Sequence, residues 1–183
     1  MLKYISKSFI LFYIFVITLT ASWAYIDNKY DESNEDVVVE TYSAEEYYCL
    51  ASTIFHEAGN QPDEGKEAVA LVVLNRSSSD GYPTNICDVV NQKTRFKNKT
   101  VCQFSYACEK KIPPYGVSWK KSLDVAKNAL DGIFDGKVLQ SVGNSIYYHA
   151  DYVKPGWSKE KIFMKKIGNH LFYEEKNLTQ FNS

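Results

Sequence analysis

The stretch AVALVVL, residues 68–74, is apolar on nearly every side of any helix it forms. Such a helix has no face to show to water, so it must be surrounded and become the centre of its domain. Pro62 is tolerated in a first helical turn, and the charges of Asp63 and Glu64 favour the positive end of the helix dipole. The pattern predicts this helix over 62–76. Ahead of it, Ser43 and Glu46 form a capping box, in which each side chain satisfies a free backbone donor of the other. Tyr47, Leu50, Ala51, Ile54, Phe55 and Ala58 then recur at helical spacing, and Gly59 is placed to end that helix in a left-handed conformation.

A third helix is predicted over 118–133, with Trp119, Leu123, Ala126, Ala129, Leu130 and Ile133 on one side and Gly132 and Gly136 closing it. After it the period shifts. Residues 145–150, 162–167 and 170–173 read as short strands, and Gly168-Asn169 is a two-residue hairpin turn. Residues 84–114 are irregular and polar, a length that is unusual unless the segment is functional or stapled. The expected fold is α+β, mainly helical, in one folded unit spanning 43–176 with a small antiparallel hairpin or sheet near its C-terminus.

Two segments precede that unit and a short tail, 177–183, follows it. Lys3 and Lys7 lead into an almost uncharged run over 9–26. The basic start, apolar middle and small residues Ser22 and Ala24 fit a secretory signal cleaved after Ala24. The run is also close to the roughly 20 residues that cross a bilayer, so a retained inner-membrane anchor is the competing reading for 1–26. Both readings export the rest, to the periplasm or the outside. Residues 27–42 are acidic and polar and read as a linker. Cys49, Cys87, Cys102 and Cys108 all follow the export segment, so disulfides are expected. A local pairing among Cys87, Cys102 and Cys108 is preferred, with Cys49 free or joined to the odd one. A net charge of -1 and a pI near 6.3 exclude a surface built for nucleic acid.

Glu57 is the candidate for chemistry, because it falls on or beside the apolar stripe near a helix end. Desolvation raises the pKa of such a carboxyl, and one still protonated near neutral pH can donate to a glycosidic oxygen. An exposed helix-end Glu, or one paired with Arg76, satisfies the same spacing.

Several ordered blocks add a resemblance: IFHEAGNQPDEGKEAVALVVLNR, YPTNICDVV, CQFSYAC, YYHADYVKPGW and KKIGNHLFY. Together they resemble the cell wall hydrolase family typified by SleB-type spore-cortex lytic enzymes. The resemblance implies a lysozyme-like fold whose catalytic glutamate matches Glu57. Departures from the family's YEARGEP-like string fall at His56 and Gly59, beside the carboxylate. Peptidoglycan glycan strands are the implied partner, cut between muramic acid and glucosamine.

Ordinary glycosidases need two carboxylates. Asp63, Glu64, Asp88 and Glu109 all read as solvated, so no second acid stands out. A lytic transglycosylase needs one, and the resemblance implies the same reaction. Gln103, Phe104 and Ser105 suit a cleft wall, though Phe104 suits the core equally. The resemblance adds Tyr148 and His149 to the cleft, on a strand where Tyr147 and His149 point one way and Tyr148 the other. Trp157 suits a sugar platform or a core plug. No cofactor or metal is expected, and the chain is expected to act as a monomer. Two alternatives stand beside this reading. One is a zinc amidase using His56, His149 and His170, disfavoured because HEAGN lacks a second His four residues on. The other is a non-catalytic peptidoglycan-binding module.

Overall fold

The computed structural model describes residues 42–109 and 112–176, which fall within one compact unit. The helices are α1 (Ala44–Ala58), α2 (Asp63–Ser77), α3 (Ile86–Asn91), α4 (Gly116–Leu130) and α5 (Gly136–Val142). Strands β1 (Lys93–Phe96) and β2 (Lys99–Cys102) form a hairpin, and β3 (Tyr147–Ala150), β4 (Ile162–Ile167) and β5 (His170–Glu174) form an antiparallel sheet in the order β3-β5-β4. The mainly helical α+β class is as expected. The sequence readings for 1–26, for 27–41 and for 177–183 lie outside the described residues. Among the described residues, no helix is long and apolar enough to cross a membrane.

Helix α2 is the centre, as its composition requires. Ala68, Val69, Ala70, Val72 and Val73 have no exposed surface. The helix is apolar all round because it serves two cores. Ala70 and Val73 join Leu50, Ile54, Ile86, Val89, Phe104 and Ala126 on the side of α1, α3 and α4. Ala68, Val69, Leu71 and Val72 join Ala58, Val138, Val142 and Phe172 on the side of α5 and the three-stranded sheet. The capping box of α1 is formed: Glu46 N–H donates to Ser43 Oγ and Ser43 N–H to Glu46 Oε2, both at 3.1 Å. The Gly168-Asn169 turn joins β4 to β5, with Gly168 at φ +55° and Ile167 opposite His170.

Three local expectations are corrected. Gly59 is right-handed, at φ -57° and ψ -30°. Its small size serves packing instead: a Cβ on Gly59 would collide with Phe55 O and lie 2.9 Å from Ser118 Oγ of α4, which donates to Gly59 O at 2.8 Å. Helix α4 stops at Leu130, and Ile133 is 60% exposed rather than on the buried stripe. Gly132, at φ +72°, ends α4 as expected, but Gly136 begins α5. The Asp135 side chain caps α5 by accepting from Lys137 N–H at 2.7 Å, and Val138 and Val142 bury its inner face.

Residues 84–109 are more ordered than their composition suggests. Asn85 caps α3, its Oδ1 accepting from Cys87 N–H at 2.9 Å and Asp88 N–H at 3.2 Å. The β1–β2 hairpin follows, then a 3-10 turn over Ser105–Ala107. Cys102 pairs with Cys108 across a separation of 6, and Cys49 takes the odd cysteine, Cys87, across 38. In the chain-entropy picture a loop of 38 restricts the unfolded chain more than one of 6. Replacing Cys49 and Cys87 by Ser is therefore expected to cost about 4 kcal/mol, and Cys102 and Cys108 about 2 kcal/mol. Urea unfolding of the two double variants measures this, and equal losses would contradict it.

Candidate active site

Glu57 lies in the last turn of α1, between Ile54 and Ala58, which are both fully buried. Its carboxylate accepts a hydrogen bond from the hydroxyl of Tyr148, on β3, at 3.0 Å to Oε2. The Tyr148 ring packs on His170 and Phe172 of β5, with centroids 5.1 and 5.7 Å away. This contact ties the end of α1 to the sheet, beside the core in which Ala58 and Val69 pack with Phe172. Both residues line a cleft of about 890 Å³ whose walls also include Arg76, Gln103, Ser105, Glu109, His149 and Trp157.

The sequence-predicted residues divide. Gln103 and Ser105 are exposed on the cleft wall. Phe104 also lines the cleft, but it is 2% exposed and packed in the first core beneath Arg76, whose guanidinium carbon lies 5.2 Å from the ring centre. Strand alternation places the rest. Tyr147 and His149 turn to Trp157, each 5.5 Å away between ring centres, while Tyr148 turns to Glu57. His149 Nδ1 lies 2.8 Å from the Ala150 carbonyl and Nε2 lies 3.0 Å from the Tyr173 hydroxyl. A carbonyl only accepts, so Nδ1 carries the proton and the Tyr173 hydroxyl donates to Nε2 in the neutral ring. Trp157 is half-buried and also touches Tyr173, so it both packs the sheet and faces the cleft.

Other residues enter that the sequence did not single out for this role. Glu109, expected to be solvated, is exposed but lines the cleft. Asp63, by contrast, pairs with Lys66 and Lys121 at 3.2 Å. Tyr106 stacks face to face on His56, with centroids 4.4 Å apart, and its hydroxyl shares a 2.8 Å hydrogen bond with Thr53. Arg76 is 3% exposed and forms no ion pair with Glu57; its Nε–H donates to Ile146 O at 2.8 Å. With the Gln103 amide presenting its oxygen, Arg76 Nη1 and Nη2 donate to it at 3.1 and 3.0 Å. Among the described residues, no three His, Cys, Asp or Glu side chains converge as a metal ion would require.

Burial pushes the Glu57 carboxyl above the ordinary range, the Tyr148 hydrogen bond and the Arg76 charge pull it back, and Glu109 adds to the rise. Burial and the facing carboxylate hold the Tyr148 hydroxyl well above its ordinary value, so it stays a donor. The rise of Glu57 has a consequence for stability. A folded-state pKa above the unfolded value means that the contribution of Glu57 is fully present below about pH 4.5 and is lost as pH rises through the raised value. Glu57→Gln, which cannot ionise, is therefore expected to gain stability relative to the wild type between pH 4 and pH 8, by about 1.4 kcal/mol for each unit of displacement. Thermal unfolding of both proteins across that range measures the gap, and a gap independent of pH would contradict it.

Comparison with known proteins places this geometry in a family. A profile of the cell wall hydrolases matches residues 60–173. The match begins three positions after Glu57, so the role of that carboxyl rests on the geometry. The chain is 28% identical over 136 residues to a spore cortex-lytic enzyme of Oceanobacillus iheyensis, covering 74% of this chain and 44% of that protein. It is 28% identical over 149 residues to one of Halalkalibacterium halodurans, covering 80% and 41%. It thus spans less than half the length of these two relatives. Its fold is similar to the catalytic domain of the germination-specific lytic transglycosylase SleB from Bacillus anthracis, with a TM-score of 0.54 at 26% identity over 73% of this chain and 98% of that one. The catalytic domain of Bacillus cereus SleB gives 0.52 at 26% identity, over 73% and 92%. With more than half its length matched by the profile, the chain belongs to the cell wall hydrolase family.

Proposed function

We propose that this protein cuts peptidoglycan glycan strands between N-acetylmuramic acid and N-acetylglucosamine, as a lytic transglycosylase with Glu57 acting first as acid and then as base. The observation that carries the reading is one half-buried carboxyl, its pKa raised by burial, beside a cleft of about 890 Å³. The similarity to a structure described as a lytic transglycosylase supports the reaction type. The substrate lies outside the membrane, in keeping with the export signal read from residues 1–26.

Glu57 gives its proton to the glycosidic oxygen as the bond from that oxygen to C1 of the muramic acid breaks, and positive charge develops on the sugar ring. The carboxylate left behind is stabilised by the Tyr148 hydroxyl and by the nearby Arg76 charge. It then takes the proton of the muramic C6 hydroxyl as that oxygen attacks C1. The products are a strand ending in a 1,6-anhydro ring and a strand with a free glucosamine hydroxyl. No water is consumed. Tyr148 engages Oε2 alone, which leaves Oε1 for the substrate.

Glu109 supports a second reading, because it supplies another carboxylate on the same cleft. As a base it would activate water, and the reaction would become hydrolysis. Mass spectrometry of muropeptides released by residues 27–183 separates the two, since an anhydro end is lighter by one water than a reducing end. Anhydro ends are expected from the wild type and from Glu109→Gln. Glu57→Gln is expected to lose activity at least a hundredfold, roughly what one acid–base group supplies. Reducing ends that disappear in Glu109→Gln would favour hydrolysis, and undiminished cleavage by Glu57→Gln would remove Glu57 from the chemistry.

A further inference from the structure

We propose that Arg76 is the positioning residue of this cleft: its guanidinium ties the wall that carries Gln103 to the strand that carries Tyr148, and so holds the Glu57 carboxyl in its working place. The inference rests on the role proposed for Glu57.

The geometry starts from the end of α2. Arg76 leaves the last turn of the most buried helix and is itself 3% exposed. Its Nε–H donates to Ile146 O at 2.8 Å, and Ile146 immediately precedes β3. Its Nη1 and Nη2 donate to the amide oxygen of Gln103, which immediately follows β2 inside the Cys102–Cys108 loop. One rigid planar group therefore spans the two segments that face each other across the cleft. The neighbouring Asn75 reinforces one side, its Nδ2 donating to Gly143 O and Ser145 O, both at 3.0 Å. Together Asn75 and Arg76 fasten the lead-in to β3, and β3 sets where the Tyr148 hydroxyl meets Glu57.

The charge of Arg76 points the same way. Its guanidinium packs over the rings of Phe104 and Tyr82, at 5.2 and 5.7 Å. Among the described residues, no carboxylate forms an ion pair with it. A brace alone needs no charge, and a buried cation without an anionic partner is costly. The nearby acid whose negative charge acts on Arg76 is Glu57, which carries that charge once its proton has been given up. The groups that face Glu57 are Tyr148 on β3, Arg76 on α2, Tyr106 in the 3-10 turn, Glu109 beyond it, and His56 and His170 along the cleft wall. Arg76 is the lone guanidinium or ammonium group among them.

Two variants separate the brace from the charge. Arg76→Lys keeps the charge and loses the planar fork; Arg76→Gln loses the charge. Each is measured beside the wild type for thermal unfolding, for kcat and KM on peptidoglycan, and for the titration midpoint of Glu57 by carbon NMR of labelled glutamate side chains. Arg76→Lys is expected to lose kcat about ten- to a hundredfold, the scale of a misplaced reacting group, with KM nearly unchanged and the Glu57 midpoint near that of the wild type. In Arg76→Gln the carboxylate loses its stabilising charge, so the midpoint moves upward and the alkaline limb of the pH profile moves with it. A wild-type kcat in Arg76→Lys, or an unmoved midpoint in folded Arg76→Gln, would overturn the proposal. A kcat loss that merely tracks the unfolded fraction would do so too. Should Arg76→Gln fail to fold, the kcat of Arg76→Lys decides. A wild type that never cuts glycan would instead sink the reading of Glu57, and the NMR midpoints would still report on Arg76.

Discussion

Everything in this domain depends on one helix being buried on all sides. A helix with a single apolar stripe can lie on a surface and needs one partner layer; α2 has no polar face along 68–74 and needs two. The cores it serves contain different elements, with α1, α3 and α4 on one side and α5 and the sheet on the other. The cleft opens near where the two meet. Glu57 reaches it from the end of α1, Arg76 from the end of α2 and Tyr148 from the sheet, so the site is assembled from three element ends around one fixed axis.

The environment of Glu57 balances opposing influences. Desolvation favours the neutral acid, while a hydrogen bond from Tyr148 and the charge of Arg76 favour the anion. In the role proposed for Glu57, a group that both gives and takes a proton works best when neither form is too stable, because the product of one step is the reactant of the next. Deep burial alone would fix the acid, and a direct ion pair to Arg76 would fix the base. The observed arrangement lies between them: the carboxylate is partly exposed, Tyr148 contacts one oxygen, and Arg76 acts through space while its donors are engaged by Ile146 O and Gln103.

The parts of the fold legible in the sequence are those where local chemistry and tertiary packing agree. Ser43 and Glu46 cap α1 with no outside help, and Gly168-Asn169 turns β4 into β5 because the glycine alone meets the backbone requirement. Gly59 reads as a left-handed stop, but its small size answers to the Phe55 carbonyl of its own helix and to Ser118 on a helix far along the chain. Helix α5 leaves no legible period because its seven residues, Gly136–Val142, make barely two turns, although Asp135, Val138 and Val142 form a readable cap and face. Within the site, a carboxylate on an apolar stripe marked Glu57, and strand alternation separated Tyr148 from its neighbours. The resemblance, not the pattern, put Tyr148 in the cleft. Spacing offers Arg76 only as an ion-pair partner. Its partners are a backbone carbonyl and a side-chain amide, and neither leaves a charge pattern to read.

The two disulfides do different physical work, and the difference bears on where the cleft can be complete. Cys49–Cys87 joins α1 to α3 beside the first core, where packing already holds both. Cys102–Cys108 closes a span whose only regular structure is one 3-10 turn. Holding such a segment in one conformation costs backbone entropy that few local hydrogen bonds offset. Within the span burial alternates: Phe104 and Tyr106 are anchored inward, which leaves Gln103 and Ser105 facing out to the cleft. The disulfide limits the alternatives open to this wall, and it persists only in an oxidising compartment. On the proposed function, the substrate lies in the same kind of compartment that keeps this bond.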